Sequence, residues 1–139
     1  MPSAAHQTLL LWAARKMTRD GFRLAGYDGV SAQGGVWNDL DAPPTLGGVR
    51  PDAWGYDGEH VALAEAKTVR DIDTDHTRIQ LLAFVRLRTR AGRPACRLYL
   101  AIPRSAAPAL DRVLAELGLA GAASIVRLHV PDILLEKAV

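Results

Sequence analysis

The chain has 139 residues, 49% of them hydrophobic and 23% charged, which is the size and make-up of one globular domain with a single core. Seventeen basic side chains against fifteen acidic ones leave a net charge of +2, too mild to demand a nucleic-acid partner, although most of the basic residues are arginines, which can fork onto a phosphate. One cysteine, Cys96, excludes an internal disulfide, no Cys/His cluster has zinc-finger spacing, and no run approaches the ~20 apolar residues that cross a bilayer. The expectation is a soluble protein with no membrane partner in a reducing, cytoplasmic setting, organised as one domain over residues 1–139.

Ser3 suits the N-cap of a first helix running to about Arg19, with Leu9, Leu10, Ala13, Ala14 and Met17 at helical spacing. Asp20-Gly21 ends it, and Phe22 to Tyr27 reads as a short strand. Residues 30–48 are punctuated by Gly34-Gly35, Pro43-Pro44 and Gly47-Gly48, which predicts a long loop with a short strand near Val36-Trp37. Val49 to Tyr56 and His60 to Lys67 are two strand-like runs, and Asp57-Gly58 between them predicts a tight hairpin. Asp73 or Thr74 caps an apolar helix reaching about Arg90. Arg97 to Ile102 is a strand with Cys96 a buried residue at its start, and a helix opens near Ser105 and runs through Leu117. Ser124 to His129 is a last strand, and Asp132 to Lys137 a final helical turn. The order predicts an α/β fold with a mixed sheet flanked by helices.

A two-residue loop at Asp57-Gly58 would pair Tyr56 with Glu59, Trp54 with Val61 and Asp52 with Leu63. Side chains alternate along a strand, so Leu63, Glu65 and Lys67 share one face while Ala62, Ala64 and Ala66 form the other. Asp52 then points to the charged face with Glu65 as its diagonal neighbour, roughly 7–8 Å away. A slip of one residue would send Asp52 to the alanine side. Two carboxylates and a lysine on one strand face suit phosphodiester hydrolysis. Asp52, Glu65 and the backbone carbonyl of Ala66 offer the hard oxygens that Mg2+ or Mn2+ takes. Such an ion polarises a phosphate and acidifies water, and Lys67 can neutralise the charge that builds in the transition state.

Pro51-Asp52, twelve residues, then Glu65-Ala66-Lys67 resembles the signature of the PD-(D/E)XK nuclease superfamily. Gln80 to Phe84, on the helix that follows, is similar to the Gln-x-x-x-Tyr element of RecB-type nucleases with phenylalanine for tyrosine. Asp20-Gly21-Phe22 resembles the end of the first helix in archaeal Holliday-junction resolvases. The resemblance implies a restriction-endonuclease-like α/β/α sandwich and an endonuclease acting on DNA with structure-directed or low sequence specificity. It also implies Asp52 and Glu65 on the metal, Lys67 as catalytic lysine and Gln80 supporting the site. Members of this kind place an acid or a histidine on the first helix, where this chain has His6 as a further candidate ligand. Arg50, Arg70 and Arg78 flank the motif as candidate phosphate contacts, and Trp37 and Trp54 are candidates for stacking or for the core. A homodimer, or a partner that lends specificity, is a further expectation by resemblance. The alternative is a nuclease-like fold that no longer cuts and serves in nucleic-acid binding or assembly.

Overall fold

The computed structural model describes residues 3–29, 37, 39–58, 60–88 and 95–136. Helix α1 (Ala4–Arg19) starts where expected: the Ser3 side chain accepts the His6 N–H at 3.1 Å, satisfying one of the donors a helix start leaves open. Strand β1 (Arg23–Tyr27) follows, then β2 (Ala53–Asp57) and β3 (His60–Ala66). Two short steps, α2 (Val69–Ile72) and α3 (Asp75–Arg86), lead to β4 (Arg97–Pro103). A 3-10 turn (Arg104–Ala106) opens α4 (Ala107–Glu116), and β5 (Ile125–Val130) and α5 (Asp132–Glu136) complete the chain. The expected strand at Val36 and the end of the last helix at Lys137 lie outside the described residues, and Trp37 is in a turn.

The five strands form one sheet in the order β1-β2-β3-β4-β5. β2 is antiparallel to both β1 and β3, whereas β3, β4 and β5 run parallel. Parallel neighbours need a crossover, and α3 and α4 supply the two that are required. Helices cover both faces. On one, Leu9, Leu10, Ala13 and Met17 of α1 and Leu135 of α5 pack on Ala62, Ala64, Ala66 and Tyr99. On the other, Ile72, Leu81 and Phe84 with Leu110, Val113 and Leu114 of α4 pack on Leu63, Leu98, Leu100 and Ile102. The alanine row thus does what its small side chains allow, admitting α1 close to the sheet.

Most element bounds shift by a residue or two and the short helix α2 was not expected; three differences bear on the site. β2 begins at Ala53 rather than Val49. Pro51 has no N–H to give a ladder, which is a reason for the strand to begin only beyond it. α3 stops at Arg86, because Leu87 is extended (ψ 140°) and its N–H returns to the Phe84 carbonyl. The hairpin closes one residue later than expected. Asp57 pairs with His60 and Tyr56 with Val61, with Gly58 taking the left-handed conformation at φ +56°. The pairing is therefore displaced by two residues relative to the expected one, and Trp54 faces Leu63. Because the side-chain period is also two, the displacement preserves the face of every residue.

Candidate functional site

β2 ends its pairing at Ala53 opposite Ala64, so continuing that register sets Asp52 directly across from Glu65 instead of diagonal to it. The two are tied through the backbone. The Asp52 N–H donates to Glu65 Oε1 at 3.1 Å and to the Ala64 carbonyl at 2.9 Å. In return the Ala66 N–H donates to Asp52 Oδ2 at 2.9 Å. Where the backbone ladder runs out, the aspartate side chain takes over as acceptor. Each carboxylate spends one oxygen on a main-chain N–H and keeps further lone pairs for another ligand.

Glu65 shares the face of Leu63, toward α3, and only 2% of it is exposed. Lys67 is 9% exposed, and its Nζ lies 3.6 Å from Glu65 Oε2. The same ammonium donates to Gln80 Oε1 at 2.5 Å. An ammonium carries three donors, so one N–H remains beyond these two partners. Gln80 is held in turn by the start of its helix: Thr74 caps α3 by accepting the Thr77 N–H at 3.1 Å, and the Thr77 hydroxyl donates to the Asp71 carbonyl at 2.5 Å. Gln80 sits about one turn further along. The charged face is thus largely buried between sheet and helix.

α1 lies on the opposite face of the sheet, yet its first turn reaches over the strand ends. His6 Nε2 is 3.2 Å from Asp52 Oδ2. His6 therefore meets Asp52 as a hydrogen-bond partner, and its Nδ1 is buried with no partner of its own. The chain of contacts runs His6, Asp52, Glu65, Lys67, Gln80, joining α1, the ends of β2 and β3, and α3.

Electrostatics mark Glu65 as the unusual member. Burial, and then the neighbouring Asp52 carboxylate, push its pKa up to about 8 against the opposing pull of Lys67. His6 is raised above its ordinary value by its hydrogen bond to Asp52, partly offset by its own burial. Two carboxylates packed together out of water are an arrangement that a cation relieves. Among the described residues no three His, Cys, Asp or Glu side chains converge into a metal-binding group. The available donor set is instead two carboxylates with the Ala66 carbonyl beside them. That suits an ion that takes hard oxygens and keeps several waters, as Mg2+ does, and not the closed nitrogen-sulfur cage of a structural zinc.

The remaining candidates divide by position. Arg70 lines a cavity beside the cluster. Arg50 pairs with Asp28 at 2.8 Å on the surface. Arg78 spans Asp73 at 2.7 Å and Glu116 at 2.8 Å, tying α3 to α4. Trp37 packs against Tyr27 in the α1 core, and Trp54 packs partly buried on the other side. Phe84 is fully buried among apolar residues. Thr77 escaped the sequence reading, although Thr74 three residues before it was a visible cap and pointed to a threonine-anchored helix start.

No family model matches this sequence, and neither the curated proteins nor the solved structures contain a significant match. The α/β architecture therefore stands on the coordinates, and the chemistry on the side chains. Among the described residues no helix is long and apolar enough to cross a membrane.

Proposed function

We propose that this chain is a divalent-metal-dependent nuclease hydrolysing phosphodiester bonds, with DNA the substrate, and that its sheet is a variant of the restriction-endonuclease-like core. One observation carries the reading: Asp52 and Glu65 are tied together across a hairpin, and Lys67, two residues on, is held beside Glu65 by Gln80. The PD-(D/E)XK resemblance implies the same residues in the same roles.

Asp52, Glu65 and the Ala66 carbonyl would hold Mg2+ or Mn2+. When bound, the ion supplies Lewis-acid polarisation of the phosphate and acidifies water at the site. Asp52 is oriented for this by the Ala66 N–H and by His6, so little rearrangement is needed to present its remaining lone pairs. Lys67 presents its third N–H as a fixed positive charge near the scissile phosphate, where negative charge builds as the bond to the leaving oxygen breaks. Gln80 keeps that ammonium from swinging away. Burial on both sides strengthens each of these interactions relative to water.

Plasmid and branched-DNA cleavage with magnesium or manganese tests this directly. Glu65→Ala and Lys67→Ala are each expected to lower the rate by about a hundredfold or more, the scale seen when a charge-stabilising group is removed from an active site. Cleavage that survives both substitutions would overturn the assignment. Tight DNA binding without metal uptake by calorimetry would favour the alternative, a nuclease-like module that binds without cutting.

A further inference from the structure

A cavity of about 610 Å3 opens beside the buried cluster, bounded by the first turn of α1, by α2 and by α5. Its size falls within the roughly 300–1,000 Å3 of ordinary ligand pockets. The cavity adjoins the site: its wall includes His6, the partner of Asp52, and Thr68, the residue after Lys67. Val69, Pro103 and Leu135 provide apolar walls. Asp71, Asp132 and Glu136 set three carboxylates in the lining against one guanidinium, that of Arg70; Asp132 already accepts from the Ser105 main-chain N–H and hydroxyl and Asp71 from the Thr68 hydroxyl, so a ligand would meet their remaining lone pairs and Glu136.

That balance is wrong for a phosphate, which three carboxylates repel. It suits a neutral, flat group that carries hydrogen-bond donors on its edge. Glu65 and Lys67 are also too deeply set for the convex, stiff backbone of a duplex to reach easily, whereas a single strand can fold inward.

We propose that this cavity receives one unpaired nucleobase of the strand being cut, with the adjoining phosphate resting at Lys67. The base lies between the apolar walls, and its exocyclic amino group donates to the carboxylates, as cytosine N4 does to Asp or Glu elsewhere. Thymine has no such amino group and fits least well. Drawing a base out of a duplex costs unpairing and unstacking that a single strand does not incur. The substrate class is therefore single-stranded DNA, or the unpaired tail of a duplex. This assignment rests on the nuclease reading of the neighbouring residues.

The test compares labelled single strands, blunt duplexes and tailed duplexes in manganese, each with cytosine, adenine or thymine at the varied position. Single strands and tails are expected to be cut at least about tenfold faster than blunt duplex, and most slowly where thymine is presented. Val69→Trp, at a residue 58% exposed and thus tolerant of bulk, fills the cavity mouth. It is expected to slow single-strand cutting by about tenfold while manganese uptake by calorimetry stays unchanged. Glu136→Gln, on the exposed end of α5, should narrow the preference for amino-bearing bases, and serves if the tryptophan variant does not fold. Blunt duplex cut as fast as single strand, or Val69→Trp and Glu136→Gln both behaving as wild type, would overturn the base pocket and leave the nuclease standing. No cleavage of any of these DNAs would remove both.

Discussion

A surface lysine–glutamate pair is worth little, whereas taking away one member of a buried pair strands the polar groups left behind. Removing the ammonium leaves Glu65 without its partner inside the fold, and Gln80 Oε1 without its donor. Lys67→Met is therefore expected to destabilise the chain by about 1–3 kcal/mol, the cost of stranding buried polar groups. Chemical denaturation checks this, and an unchanged midpoint would mean the pair is not desolvated in solution. Glu65→Gln keeps the shape and removes the ionisable carboxyl, so it should fold at least as well as wild type while losing metal uptake. The two variants separate structural loss from chemical loss.

The same residue sets a pH dependence with a definite sign. The folded chain holds Glu65 protonated up to about 8, while the unfolded chain releases that proton near 4.5. Between those values the folded state binds more protons, so stability falls as pH rises. His6 acts in the same direction: with its folded pKa raised above 6.5, its contribution is present below 6.5 and fades as pH rises through the folded value. Thermal melts in chelator from pH 5 to 8.5 should show a declining midpoint, flattened in Glu65→Gln. A midpoint that rises over this range would contradict the burial of Glu65. Metal uptake near neutral pH should release a proton, because the ligand form of the carboxylate is the ionised one.

Elements decide which residues are allowed to matter. The alanine row of β3 sets the spacing to α1, and that spacing lets the first turn of the helix bring His6 to Asp52. Ala64 is fully buried, and Ala64→Leu forces extra carbons into this seam. A loss of about 1–3 kcal/mol is expected from overpacking, with nuclease activity reduced beyond what the stability change explains, because His6 would be carried away from Asp52. Circular dichroism melts and cleavage assays on one preparation read both effects. Ile79→Ala, at a position 61% exposed on α3, should change stability by no more than about 0.5 kcal/mol and serves as the control.

The hairpin shows how much of an element was legible and where reading stopped. Asp57-Gly58 signalled a reversal, and Gly58 does take the positive φ that the reversal needs. The pairing partner of each residue was set by two residues further along, which local turn chemistry did not reveal. Period-two alternation made the face of Asp52 robust to that displacement, since only an odd slip would have moved it. Likewise the α3 start was legible from Thr74, whereas its end was not, because Leu87 leaves the helix so that its carbonyl accepts the Cys96 N–H and Arg88 bridges to Ala95.

At the scale of the whole molecule, the five-stranded sheet places the candidate site at the end of β3, where hairpin, crossover helix and first helix meet. A ligand held by all three favours the folded state. Manganese at a hundred times its dissociation constant should stabilise the chain by about 2.7 kcal/mol, and the gain should vanish in Glu65→Ala. Differential scanning calorimetry measures it; an equal gain in the variant would place the ion elsewhere.

Sequence alone determined the element types, the shared face of Asp52, Glu65 and Lys67, and the helix-packing role of the alanines, because helix and strand periods and turn residues are local properties of the chain. Tertiary structure alone decided that the charged face is buried under α3, that Lys67 is clasped by Gln80, that His6 crosses from the other layer to Asp52, and that Arg78 is spent on Asp73 and Glu116. Those facts depend on which helix covers which strand, and burial, desolvation and partner choice come into being only when the layers close.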